Sequence, residues 1–317
     1  MITLNNKDGF IFDLEYRVVD ILEEYQRTGA VEINTNAEGI CLQQIKFYSL
    51  LNYICDKFNI EKSHISILTS NALEHHDEYK IIVKPISHWF RKVKTAIPKN
   101  YSPSKLNNLK TVGCFVGKLN WNRLVFLSWL HDTFKEQCLL TCHYRHEDAQ
   151  KLNSELTQLN FYMSSAIDNI NFLNHCPLTL DEQFTEFTIG PPQHLNIINH
   201  YNEIFLDLVL ETYVLGNTFF PTEKTLRPIV AKTPFIVMGP KNYLDNLRNL
   251  GFKTFDHWWN EDYDHYEGSN RIVEIKKRLE DIFSWPQERL QITLKEMQSV
   301  LEHNYNLYMN TNYDNQK

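Results

Sequence analysis

What this chain of 317 residues lacks narrows its chemistry first. No apolar stretch approaches the roughly 20 residues that a bilayer span needs, so no membrane-crossing helix is expected. Asp8 and the run Asp13 to Glu15 interrupt the early apolar segment, so no secretory leader is expected and the chain reads as soluble and cytoplasmic. Excess positive charge is missing too. The formal net charge is −7 and the pI near 6.0, which removes any overall field drawing the protein to nucleic acid or anionic lipid and leaves room only for a local basic cleft. There is no G-x-G-x-x-G after a strand, no G-x-x-x-x-G-K-[ST] loop and no G-x-S-x-G elbow, so kinase and dehydrogenase readings lose most of their support. The six cysteines (Cys41, Cys55, Cys114, Cys138, Cys142, Cys176) sit mostly inside apolar segments and read as reduced core residues. Cys138, Cys142 and His143 lack the usual C-x-x-C spacing and fall in an expected strand, so no metal site is expected.

What is present is a globular pattern. With 43% hydrophobic and 22% charged residues the chain can bury a core, and its length suits two domains. Val31 to Asn34, Ser66 to Leu68 and Tyr79 to Val83 read as strands, and Cys41 to Phe58 carries apolar residues at helical spacing. Further on, Val112 to Val116, Gly117, a helix marked by Leu124, Leu127, Leu130 and Phe134, and Leu139 to Tyr144 form a strand, turn, helix, strand series that predicts a parallel crossover. Residues of about 145 to 200 are polar and asparagine-rich, and the domain boundary is placed there, dividing residues 1–175 from 176–317. The second half reads as strands at Phe205 to Leu210, Pro234 to Met238 and Phe252 to Phe255. Helices are expected at Thr222 to Lys232 and at Leu244 to Leu250, the latter closed by Gly251. Two long helices, near Arg271 to Phe283 and Pro286 to Leu307, end the chain and are able to pack back on the first domain. The expected architecture is α/β, two Rossmann-like domains facing a cleft.

The segment richest in chemistry is E-T-Y-V-L-G-N-T-F-F-P-T-E-K-T-L-R-P-I-V-A-K-T-P-F-I-V-M-G, Glu211 to Gly239. Thr222 is placed to cap a helix that opens with Glu223 and Lys224. A helix start offers unpaired N–H groups and a positive dipole end, which suits a phosphate. Lys224 and Arg227 add cationic donors for a diphosphate, and the two oxygens of Glu223 match the two hydroxyls of a ribose. Pro228 threatens to shorten the helix. The plainer alternative stands beside this: a capped helix start with ordinary surface charges.

The stretch T-E-K-T-L-R-P-I, then A-K-T-P-F-I-V-M-G and L-R-N-L-G-F-K-T-F-D, resembles the donor-binding half of GT-B-fold glycosyltransferases. It is similar in particular to the α1,3-fucosyltransferase family and to phage and bacterial proteins sharing an F-x-T-E-K-T-x-x-P-I core. The upstream G-C-F-V-G-K-L-N-W-N-R-L, Gly113 to Leu124, resembles the same phage-type proteins. The resemblance implies a nucleotide-diphosphate sugar as co-substrate, no obligatory cofactor, Glu223 on the donor ribose, and Lys224 and Arg227 on its phosphates. Thr222 and Thr225 complete the donor set, and Gly117, Lys118 and Arg123 face the cleft from the other side. Thr225 departs from the aromatic or aliphatic residue common after that lysine, and no fucosyltransferase acceptor motif is present, so the sugar does not carry over. A general base is expected from an N-terminal loop, with Glu38 the candidate; the alternative is that Glu38 only favours a helix dipole. The loop residues Glu74, His75 and Glu78 form a second acid-base cluster. Asp262-Tyr263-Asp264 matches a metal-binding D-x-D string but trails the donor half, and is read as structural. The acceptor is a glycan or other saccharide hydroxyl. It is alternatively a hydroxymethylated base in phage DNA, which a groove of Lys92, Lys94, Lys99, Lys105 and Lys110 would favour, although that lysine run reads first as a solvated loop. A non-catalytic nucleotide-binding protein is the remaining reading.

Overall fold

The β-branched and aliphatic runs become strands of two parallel sheets in the computed structural model, which describes residues 1–7, 11–35, 39–84, 90–91, 93–94, 97, 103–143, 171–180 and 197–312. The chain divides into two compact units. One takes the described residues of 1–88 with Tyr213–Phe220; the other takes those of 89–212 and of Pro221–Tyr313. The expected boundary near residue 175 is therefore replaced. Its failure has a simple cause: the Val112 to Val116 crossover hydrogen-bonds to the Phe205 to Leu210 strand and belongs to the later half.

In the first unit, β1 (Ile2–Thr3), β4 (Val31–Asn34), β5 (Ile65–Thr69) and β6 (Lys80–Val83) form a parallel sheet in that order, beside a small antiparallel pair β2 (Asn6–Lys7) and β3 (Ile11–Phe12). Helix α1 (Val18–Thr28), which the pattern analysis did not anticipate, ends at Gly29 in the left-handed region, and α2 (Phe47–Phe58) starts six residues later than its periodicity suggested. Val31, Ile33, Ile65, Ile67, Leu51 and Ile54 supply the dry centre of this unit. Segment Tyr213–Phe220 docks at its β5 end: Asn71 donates to the Asn217 carbonyl at 2.9 Å and accepts from Phe219 N at 3.0 Å, and the Thr218 hydroxyl donates to the Gly39 carbonyl.

In the second unit the parallel order is β10 (Phe235–Met238), β9 (Ile204–Leu210), β7 (Lys110–Val116), β8 (Cys138–Cys142). All seven β9 residues are buried, as a strand covered on both faces requires. Helix α3 (Trp121–Phe134) links β7 to β8, and α4 (Glu223–Val230) links β9 to β10. The chain closes with α5 (Tyr243–Asn249), α6 (Gly268–Phe283) and α7 (Gln287–Asn310). Gly251, at φ 92, terminates the turn after α5 as expected. Phe252 to Phe255, expected as a strand, has no strand partner among the described residues; Phe255 N is instead captured by the Glu261 carboxylate at 2.8 Å.

Candidate functional site

The order β10-β9-β7-β8 contains a break in direction. From β7 the chain moves outward to β8, then returns past β7 to β9 and continues to β10 on the other side. In open parallel sheets the crevice outside the carboxyl ends of the two strands at such a break is where ligands bind. Here those strands are β7 and β9, and the residues that follow them are Gly117-Lys118 and Glu211-Thr212.

Helix α4 begins beside this point for local reasons. Pro221 and extended Thr222 (φ −104, ψ −174) stop the loop, and the Thr222 hydroxyl accepts from Lys224 N at 3.2 Å, an ordinary N-cap. Pro228 lies inside the helix, which ends two residues later at Val230. Glu211 then fills the helix start. Its carboxylate accepts from Thr222 N (3.2 Å), the Thr222 hydroxyl (2.8 Å), the Thr225 hydroxyl (2.8 Å) and the Tyr243 hydroxyl (3.1 Å). Thr222 and Thr225, expected as ligand contacts, are thus committed to a carboxylate of the chain itself, and Thr225 is fully buried. The reason is elementary: a buried carboxylate needs donors, and a helix start has them to give.

The two arginines behave likewise. Arg123 is buried; it donates to the Leu210 carbonyl at 3.3 and 3.1 Å, the Thr212 hydroxyl at 3.1 Å and the Lys118 carbonyl at 2.7 Å. It ties the ends of β7 and β9 together rather than offering itself to a phosphate. Arg227 is buried as well, reaching the Phe115 carbonyl at 3.4 Å. Burial works against its charge, yet Tyr201, Asp207, Glu223 and Glu211 outweigh that and hold its pKa above the ordinary value. Asp207, mid-strand in β9, is raised to about 6 by burial against the pull of Arg227, the Tyr201 hydroxyl (2.6 Å) and Lys105. Arg227, expected on a phosphate, and Arg123, expected to face the cleft, are both paired with oxygens of the chain itself.

What stays available at the carboxyl ends is smaller. Lys118 is exposed, Gly117 half-buried, and Lys224 half-buried with its ammonium 2.8 Å from Glu223 Oε1 and 3.3 Å from the Thr222 hydroxyl. Glu223 itself is 6% exposed. The candidate base Glu38 lies outside the described residues.

The remaining candidates do not converge. Glu74 is buried and accepts from Leu42 N (3.2 Å), the Tyr48 hydroxyl (2.9 Å) and Asn71 Nδ2 (2.9 Å), whereas Glu78 pairs with Lys62 at 2.9 Å and His75 is exposed. Asp264 of the D-x-D string caps α5 through Leu244 N (2.9 Å) and pairs at 2.8 Å with Arg271, which is fully buried. Among the described residues no group of three His, Cys, Asp or Glu is set to hold a metal. No described helix is long and apolar enough to cross a membrane. Sequence reasoning missed Glu211, Asp207 and Arg271, whose importance comes from what surrounds them. Comparison with protein-family models, with curated proteins and with solved structures returns no match to this chain.

Proposed function

We propose that this chain is a glycosyltransferase that moves a sugar from a nucleotide-diphosphate donor to a saccharide hydroxyl, with the donor held at the carboxyl ends of β7 and β9. The observation that carries the reading is the coincidence of that break in strand direction with the Gly117-Lys118 turn and the Glu223-Lys224 pair. A sheet edge of this type is where nucleotides bind, and these are the residue types a ribose and a diphosphate need. Two units, each with its own parallel sheet, suit a GT-B enzyme. The donor set narrows to Glu223, Lys224, Gly117 and Lys118, with Thr222, Thr225, Arg123 and Arg227 shaping it from beneath. Glu38 stays the proposed base, taking the acceptor proton as the diphosphate leaves. A saccharide acceptor is favoured over DNA because the described lysines of the supposed groove are drawn to protein oxygens: Lys94 to the Thr311 carbonyl, Lys105 to the Tyr201 and Ile204 carbonyls, Lys110 to the Glu136 carbonyl.

Thermal-shift measurements against UDP-, GDP- and ADP-sugars test the reading, since a ligand that binds only the folded state raises its apparent stability. One donor family is expected to raise the transition, and Glu223→Ala to abolish that rise while leaving the unliganded transition in place. No response to any nucleotide sugar, or an undiminished response in Glu223→Ala, rejects it.

A further inference from the structure

At the end of β8 the backbone joins two distant stretches of the second unit. Cys142 N donates to the Leu178 carbonyl at 2.9 Å and Leu178 N to the Cys142 carbonyl at 2.8 Å, an antiparallel bridge outside the parallel sheet. Cys176 lies two residues before Leu178, and its thiol is in hydrogen-bonding contact with that of Cys142. The segment that carries Cys176 has anchors of its own. The buried Phe172 ring and the His175 ring lie 5.4 and 4.5 Å from the His131 ring of α3. The Cys176 thiol also donates to the Phe172 carbonyl at 4.0 Å. A disulfide needs its two Cβ atoms about 4 Å apart, and thiols in contact beside a backbone bridge approach that geometry.

Access distinguishes the two members. Cys176 is half-buried, whereas Cys142 and the other four cysteines are buried. A reagent in solvent therefore meets Cys176 first, and Cys142 stands behind it to resolve the adduct. The hydrogen bond to Cys142, and then burial, hold the Cys176 thiol above its ordinary value. Little thiolate forms at neutral pH, so exchange at this pair is slow and quickens as pH rises. One residue past the bridge, His143 N donates to the Gly117 carbonyl at 3.3 Å, which places the thiol pair beside the turn that follows β7.

We propose that Cys142 and Cys176 form a redox-sensitive clamp, closed by a low-molecular-weight disulfide, that fastens the 172–178 segment to the end of β8. The Cys176 thiolate attacks one sulfur of the reagent and releases one thiolate; the Cys142 thiolate then attacks the Cys176 sulfur and releases the second. Two protein thiols are oxidised to one S–S bond, the reagent is reduced to two thiols, and the two protons pass to the released thiolates. The clamp does not rest on the donor reading. Its test incubates the full chain with glutathione disulfide at mildly alkaline pH, then quenches with acid, alkylates and digests without reduction for mass spectrometry. A peptide pair linked through Cys142 and Cys176 is expected, and is lost on treatment with dithiothreitol. Amide exchange at Cys142 and Leu178 is expected to slow about tenfold in the oxidised chain, because the clamp holds their mutual hydrogen bonds shut. Both readouts use the parent chain and stand whether or not a variant folds. Cys142→Ser is expected to stop at a glutathione adduct on Cys176. No Cys142–Cys176 link, a link from Cys176 to a different cysteine, exchange unchanged by oxidation, or a folded Cys142→Ser that takes up no glutathione at Cys176 overturns the proposal.

Discussion

Glu211 and Thr222 hold each other at two points, the backbone N–H of Thr222 on Oε1 at 3.2 Å and its hydroxyl on Oε2 at 2.8 Å. The carboxylate that directly follows β9 is therefore the anion that the start of α4 binds. Thr225 and Tyr243 close the same network at 2.8 and 3.1 Å. Glu211→Ala strands several buried donors at once and is expected to lower stability by about 3 kcal/mol, with Glu211→Gln losing about 1–2 kcal/mol. Urea unfolding checks this; a loss below about 0.5 kcal/mol for the alanine variant contradicts the assignment.

The Asp264–Arg271 pair is a second buried joint. Arg271 donates to Asp264 Oδ1 (2.8 Å), the Asp264 carbonyl (2.9 Å) and the Val237 carbonyl (3.1 Å), fastening α6 to β10. Arg271→Met or Asp264→Asn alone is expected to cost about 3–5 kcal/mol, because each leaves an unmatched buried group. The double variant should cost clearly less than the sum of the two. Strict additivity in a double-mutant cycle would show that the pair is not coupled.

Much of the fold was legible because hydrophobic runs and glycine turns act locally. The strands at Val31, Ser66, Val112, Leu139, Phe205 and Pro234, and the helices at Leu124, Leu244, Arg271 and Pro286, all stand within a few residues of their expected places. Strand partnership was not legible: nothing within Val112 to Val116 says that its neighbour is Ile204 to Leu210 rather than an earlier strand. At the site, Thr222 as a cap was readable from its own residues. The capture of its hydroxyl by Glu211, eleven residues back, was not, because that choice is made by the sheet edge bringing them together. Arg123 and Arg227 look alike to any sequence reader, and only burial reveals that both serve the interior.

Stability should carry a pH signature from Lys105. Its ammonium donates to the Tyr201 and Ile204 carbonyls and to the Thr233 hydroxyl, and burial lowers its pKa from 10.5 to about 7 against the opposing pull of Asp207. The unfolded chain keeps this proton to about 10.5, so between 7 and 10.5 it binds more protons than the folded one. Stability then rises with pH across that window, by up to about 1.4 kcal/mol per unit, and the cost of the buried charge is fully present below 7. Asp207, raised from 3.8 to about 6, acts in the opposite sense: stability falls as pH climbs between those values. Unfolding free energies of the parent and of Lys105→Met, compared from pH 7 to 9, should diverge in the parent's favour as pH rises. A constant difference rules the buried charge out as the cause.

Lys224 offers the sharpest test of the proposed donor site, because its present partner is Glu223, another residue of the proposed set. Its ammonium lies 2.8 Å from Glu223 Oε1, a pairing that a diphosphate can take over. Phosphate oxygens are the stronger competitors for an ammonium, and under the proposal their arrival would release the Glu223 oxygens to the ribose hydroxyls. Lys224→Met should therefore remove most of the preference for a nucleoside diphosphate over its nucleoside, about tenfold in affinity, while nucleoside binding itself changes little. The retained preference should also lose part of its dependence on ionic strength, since one charged contact is gone. Calorimetric titration of UDP, GDP and the corresponding nucleosides decides it. If Lys224→Met holds the diphosphate as tightly as the parent does, the phosphates do not sit on this turn, and the exchange between Glu223 and ligand does not occur.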